Sequence, residues 1–141
     1  MKQDFSRFFA RFQDLNVIVV GDIMIDSYIW GAVTRISPEA PIPIVSATKR
    51  EKRLGGAANV ALNIKSLKAK PLLCSVIGSD THGRSLMELM ESDGLYTGGI
   101  VESAQRTTTI KHRVISGGQH LLRIDEEETS PIGDSLQQSL L

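Results

Sequence analysis

The chain has 141 residues, 41% of them apolar, and its 16 basic and 16 acidic side chains cancel to a formal net charge of zero. That length suffices for one compact domain with its own core. The neutral balance gives no electrostatic case for nucleic acid or an anionic membrane as partner, and no apolar stretch approaches the ~20 residues that a bilayer span needs.

The first elements read as follows. Phe5, Phe8, Phe9 and Phe12 alternate with charged and polar residues, which predicts an amphipathic helix over residues 3–14, docked on the body of the protein and not a signal peptide. Residues 17–20 form a short apolar run closed by Gly21-Asp22, the pattern of a buried parallel strand feeding a loop. Ligands of open α/β sheets bind beyond the carboxyl ends of such strands, so Asp22 and Asp26 stand where chemistry is expected. A carboxylate there can accept from two adjacent hydroxyls, or it can simply cap a local turn. Residues 27–31 read as a strand leaving the main sheet. Residues 41–47 alternate apolar side chains with prolines, which confines them to a sheet edge or a small separate flap.

The run Arg53-Leu54-Gly55-Gly56-Ala57-Ala58-Asn59-Val60-Ala61 carries the most information. Adjacent glycines bare the backbone for close approach of a ligand, or make a tight strand-to-helix turn. Val60, Ile64 and Leu67, with Ala57 and Ala61 alongside, are spaced as one side of a helix over residues 57–67. Asn59 falls in its first turn, where its amide can donate and accept toward hydroxyls or bond its own loop. A strand over residues 72–77 contains the only cysteine, Cys74, which rules out an internal disulfide and reads as a buried, inert thiol. A loop over residues 78–83 follows, with Asp80 as the expected cap of a helix running through Met90 to Asp93-Gly94. A short strand around Ile100 leads to a hairpin, residues 107–116 and 119–125, turning at Gly117-Gly118. Lys111 and Arg113 share one face of its first arm. Ser130-Pro131 predicts the start of a last helix carrying Ile132, Leu136 and Leu140. His82, His112 and His120 are too scattered to form a metal site.

Four blocks in this order carry a resemblance: Val20-Gly21-Asp22 through Asp26, Arg35-Ile36-Ser37-Pro38-Glu39-Ala40-Pro41, the Gly55-Gly56-Ala57-Ala58-Asn59 run, and Val76-Ile77-Gly78-Ser79-Asp80-Thr81-His82-Gly83. Together they resemble the amino-terminal half of the ribokinase-like (PfkB) sugar kinases. The Ser37–Pro41 block resembles the branch that phosphorylates D-glycero-D-manno-heptose 7-phosphate in ADP-heptose and lipopolysaccharide core synthesis.

The resemblance implies an α/β fold: the N-terminal half of a three-layer α/β/α sheet, with a small β lid within about residues 27–54. It implies a cytoplasmic carbohydrate kinase that uses ATP and Mg, with substrate contacts from Asp26, Gly55, Gly56 and Asn59, and from Ser37 and Glu39 in the lid. A phosphorylated sugar needs a cationic anchor, for which Lys111 and Arg113 are the candidates; the alternative is cross-strand pairing with Asp125 or Glu126. In many relatives the lids of two subunits pair, which implies a homodimer. Relatives often carry glycine at position 68, a left-handed helix cap; Lys68 departs from that pattern at a cost in stability. The family's Gly-x-Gly-Asp segment, which supplies the catalytic base and adjoins the ATP pocket, is absent from residues 1–141. The chain therefore reads as a partial kinase domain, the sugar-binding half, expected to be inactive without the other half. The competing expectations are a fragment of another ribokinase-like sugar kinase, and a sugar-binding or lid-dimerising module without catalysis.

Overall fold

A computed structural model describes residues 5–140. Two sheets organise them. Strands β1 (Asn16–Val20), β4 (Lys70–Gly78) and β5 (Ile100–Ser103) form a parallel sheet in the order β1-β4-β5. Strands β2 (Ile23–Ile36), β3 (Pro43–Gly56), β6 (Ile110–Ser116) and β7 (Gln119–Glu126) form a mixed sheet in the order β3-β2-β6-β7. There β2 runs parallel to β6, while β2–β3 and β6–β7 are antiparallel hairpins.

Helices α2 (Ala57–Ser66) and α3 (Thr81–Ser92) pack on one face of the parallel sheet. The core forms there from Leu73 and Ile77 of β4, Ala58 and Ala61 of α2, Leu86 and Met90 of α3, and Ile23, Ile25, Leu54 and Ile110 from the root of the mixed sheet. Short alanines on α2 let the helix backbone approach the strands closely. The mixed sheet is therefore rooted in the core and projects from it as a lid.

Several expectations hold in detail. The proline-rich strand is an edge, as a missing ladder donor requires. Lys68 sits at φ 69°, the left-handed position at the end of α2. Gly117 and Gly118 turn the β6–β7 hairpin at φ 57° and 77°. Asp80 caps α3, accepting from the Gly83 amide at 2.7 Å and also from the Thr108 amide at 2.8 Å.

Others are corrected. The first helix spans Ser6–Ala10 (α1) and continues as a 3-10 turn over Arg11–Asp14; Gln3 lies outside the described residues. It is not docked: none of its residues is buried, and Phe8, Phe9 and Phe12 pack edge-on against one another, with ring centroids 5.4–6.1 Å apart. β1 is an edge strand with no buried residue: Val17 and Val19 are half-buried on one side, and Ile18 is 66% and Val20 71% exposed on the other. On α2 the buried residues are Ala58 and Ala61, and Val60 and Leu67 point outward, because the small residues meet the sheet. Cys74 is half-buried, since β4 turns Leu73, Ser75 and Ile77 to the core and Cys74 to the other side. The last helix, α4 (Asp134–Leu140), starts after Gly133 and not at Ser130. The Ser130 amide is taken by Glu128 Oε1 at 2.9 Å and its carbonyl by Arg106, which fixes residues 128–130 as loop.

Candidate functional site

A cleft of about 500 Å³ opens at the carboxyl ends of β1 and β4, between them and the root of the lid. Asp22, Met24, Thr109, Lys111 and Glu127 line it, and Leu140 closes it from α4. Strand alternation builds the lid's share of this site. Ile23, Ile25 and Ser27 of β2 face the core, so Met24, Asp26, Tyr28 and Trp30 face the other way. In register, Asp26 stands between Arg53 of β3 and Lys111 of β6, and Tyr28 between Glu51 and Arg113.

The two glycines fit this face sterically. A Cβ on Gly55 would lie 2.7 Å from Asp26 Oδ2 and 2.8 Å from Met24 Cγ, so any other residue would displace the carboxylate. Gly56 turns strand into helix at φ 58°, ψ −135°, a conformation that side chains disfavour. The Ala57 amide then donates to the Asp22 carbonyl at 2.9 Å, which ties the head of α2 to the loop after β1.

The charges form a paired network. Arg113 donates to Asp26 Oδ1, and both side chains are about four-fifths buried, 19% and 20% exposed. Lys111 Nζ donates to Asp125 Oδ2 at 2.8 Å and Glu127 Oε2 at 2.7 Å. Asp125 and then Glu127 hold the Lys111 ammonium above its ordinary pKa, and Lys111 holds the Asp125 carboxyl below its own. Arg123 Nε lies 3.0 Å from Asp125 Oδ1, but no donor is aligned on that oxygen, which keeps a charge contact without a hydrogen bond. Further along the face, Tyr28 and Trp30 stack at 5.3 Å, 16° from parallel. Lys49 lies over Trp30, and Arg53 and Arg113 lie over Tyr28. Glu51 bonds Arg53 and Lys49, each at 2.5 Å, and these hold its carboxyl down to about 2.

The structure thus brings together Asp26, Gly55, Gly56, Lys111 and Arg113, with the exposed Asn59 in the first turn of α2 beyond them. Asn59 lends its carbonyl to Asn63 Nδ2 at 2.9 Å, a backbone role. Ser37 and Glu39 do not join this group within one chain. They form the turn of the β2–β3 hairpin, where Ser37 Oγ accepts from the Glu39 amide at 3.2 Å. Ten residues of extended strand, about 3.3 Å each, separate Asp26 from that turn. Lys111 and Arg113 are not free cations, and the cross-strand pairing with Asp125 is realised; Glu126 instead meets His112 on the opposite face at 3.2 Å. Sequence reading missed the Tyr28–Trp30 stack and the Lys49-Glu51-Arg53 row, although their period-two spacing was the available signal.

Among the described residues no three His, Cys, Asp or Glu side chains converge as metal ligands, and no helix is long and apolar enough to cross a membrane.

Comparison with known proteins fits this geometry. The chain is 39% identical over 140 residues to the bifunctional protein HldE of Geobacter metallireducens, covering 99% of this chain and 29% of that protein. It thus spans less than a third of the length of that relative. A solved putative sugar kinase from Clostridium perfringens superposes with TM-score 0.68 at 16% identity, over 89% of this chain and 39% of that one. An uncharacterised sugar kinase from Pyrococcus horikoshii, solved in complex with ATP, superposes with TM-score 0.55 at 26% identity, over 79% of this chain and 34% of that one. The fold is that of the ribokinase-like sugar kinases. The model of the pfkB family of carbohydrate kinases matches residues 14–140, and the chain belongs to that family.

Proposed function

We propose that this chain is the sugar-binding part of an ATP-dependent kinase that phosphorylates D-glycero-D-manno-heptose 7-phosphate at its anomeric hydroxyl. The observation that carries the reading is the Asp26 carboxylate, set against Gly55 on the strand face that also carries the cleft-lining Met24 and Lys111. Asp26 accepts from sugar hydroxyls, the backbone of Gly55 and Gly56 lies against the ring, and the Asn59 amide reaches a further hydroxyl. Lys111 and Arg113 flank the sugar, and Arg113 sets the orientation of the Asp26 carboxylate.

Phosphoryl transfer needs positioning and charge stabilisation more than covalent chemistry. This chain's residues supply positioning and, through the lid, exclusion of water. ATP and Mg, which the family resemblance implies, would be held mainly by the other half of the domain, and no step is assigned to them here. The base and the nucleotide site belong to the segment that carries Gly-x-Gly-Asp in relatives. Ser37 and Glu39 meet a sugar only if the lid tip reaches a second copy, which fits a homodimer paired through its lids.

The test is an assay of heptose 7-phosphate phosphorylation by the 141-residue chain and by the chain joined to a carboxyl-terminal half. We expect sugar binding without turnover from the first and turnover from the second. ATP-dependent phosphorylation by the 141-residue chain itself would falsify this division of labour. A substrate panel on the joined enzyme separates heptose 7-phosphate from other sugars, and the absence of turnover on any sugar favours a binding module.

A further inference from the structure

On the Asp26 face of the lid, the cations of β6 and β7 are matched one for one. Lys111, Arg113 and Arg123 stand against Asp26, Asp125 and Glu127. The β3 row is not matched, because Lys49 and Arg53 share the single carboxylate of Glu51. Arg53 gives Glu51 only its Nε, at 2.5 Å, and its guanidinium lies 5.1 Å from the centre of the Tyr28 ring. Its two Nη groups have no hydrogen-bond partner among the described residues, and the side chain is 56% exposed. A guanidinium held at Nε and across one face, with its Nη edge open, is pre-organised for an oxyanion at that edge.

The position is right for a substrate group. Arg53 is the register partner of Asp26 and stands two residues before Gly55. The charge of Asp26 would repel an anion here, but Arg113 neutralises it. Lys111 and Arg113 meet an anion only by giving up their carboxylates, which Arg53 need not do.

We propose that Arg53 recognises the phosphate of a phosphorylated sugar, its two Nη groups donating to phosphate oxygens while Asp26 holds hydroxyls of the same molecule. Arg53 is then the residue that separates sugar phosphates from free sugars. This rests on the reading of Asp26 and Gly55-Gly56 as a sugar site.

The experiment titrates the 141-residue chain with D-glycero-D-manno-heptose 7-phosphate and with the unphosphorylated heptose. The readout is the fluorescence of Trp30, the only tryptophan, which stacks on the ring that carries Arg53. Arg53→Gln is expected to weaken the phosphorylated sugar by about tenfold or more and to leave the free sugar within about twofold. Arg53→Lys keeps the charge but loses the fork, and should recover part of that loss. Near-ultraviolet circular dichroism of the Tyr28–Trp30 pair checks that each variant keeps its fold. Equal weakening of both sugars overturns the assignment, as does a selective loss in Lys111→Met that Arg53→Gln does not show. If the parent chain binds neither sugar, the sugar-site reading fails and takes the assignment with it. If the parent binds both sugars and Arg53→Gln binds both as tightly, Arg53 alone is excluded.

Discussion

At the scale of single residues, Asp26 couples the fold to the proposed chemistry. Its carboxylate is clamped by Arg113 on one oxygen and faces Gly55 with the other. Asp26→Asn keeps the shape and removes the charge. Hydrogen bonds to charged groups contribute roughly 1.5–3 kcal/mol, so sugar affinity should fall on the order of ten- to a hundredfold. Titration calorimetry of the joined enzyme with sugar and with ATP checks this, and ATP affinity should hardly move. Unchanged sugar affinity would return Asp26 to the role of a counter-ion for Arg113. The paired state of Lys111 shows why residue type alone was a poor guide: a lysine on a strand face reads as a free cation until its cross-strand neighbours are placed.

At the scale of elements, two caps carry measurable stability. Asp80 joins the start of α3 to the Thr108 amide, two loops brought together by the Gly78–Gly83 connection. Burial pushes its carboxyl up, but the Thr108 and Gly83 amides together outweigh that and hold it below its ordinary value. A depressed folded pKa means that this stability is fully present above the unfolded carboxylate value and is lost as pH falls through the folded one. Asp80→Ala should cost about 1–3 kcal/mol near neutral pH, the loss of a cap plus an unpaired amide. Its acid unfolding curve should also be less steep than the parent's. Urea denaturation between pH 7 and pH 3 measures both effects. At the other end of α2, Lys68 holds the left-handed position. Lys68→Gly should raise the unfolding free energy by about 0.5–1 kcal/mol, read as a shift in urea midpoint at constant slope. A lower midpoint would mean that the Lys68 side chain contributes more than its backbone strain costs.

At the scale of the whole molecule, the described residues leave apolar surface without cover. β1 is paired on one side only and exposes Ile18 and Val20, and the first helix exposes Phe5, Phe8 and Phe9. Open strand edges with apolar faces associate. We expect the 141-residue chain to self-associate in sedimentation experiments, and the joined enzyme to give a defined species. A monodisperse monomer that unfolds cooperatively would count against the reading of this chain as part of a larger domain.

The division between sequence and tertiary structure follows from the range of the forces involved. Local signals decided the strand-to-helix turn at Gly55-Gly56, the Asp80 cap and the Gly117-Gly118 hairpin, because backbone sterics and capping act within a few residues; the left-handed position of Lys68 came from the family resemblance. The order of blocks from Asp26 to Gly83 was enough to indicate the family and its fold. Periodicity located α2 but left its buried face undecided, since it records which residues share a side and not which side meets the sheet. It also made the aromatic helix a docked element and β1 a buried one. The hairpin allowed the Lys111–Asp125 pair to be foreseen as an alternative, but the Arg113–Asp26 pair was out of reach from the sequence: Arg113 finds Asp26 across 87 residues of chain, and only the parallel pairing of β2 with β6 puts them side by side. Pairing across a sheet decided which cations are neutralised and which, like Arg53, keep an open edge.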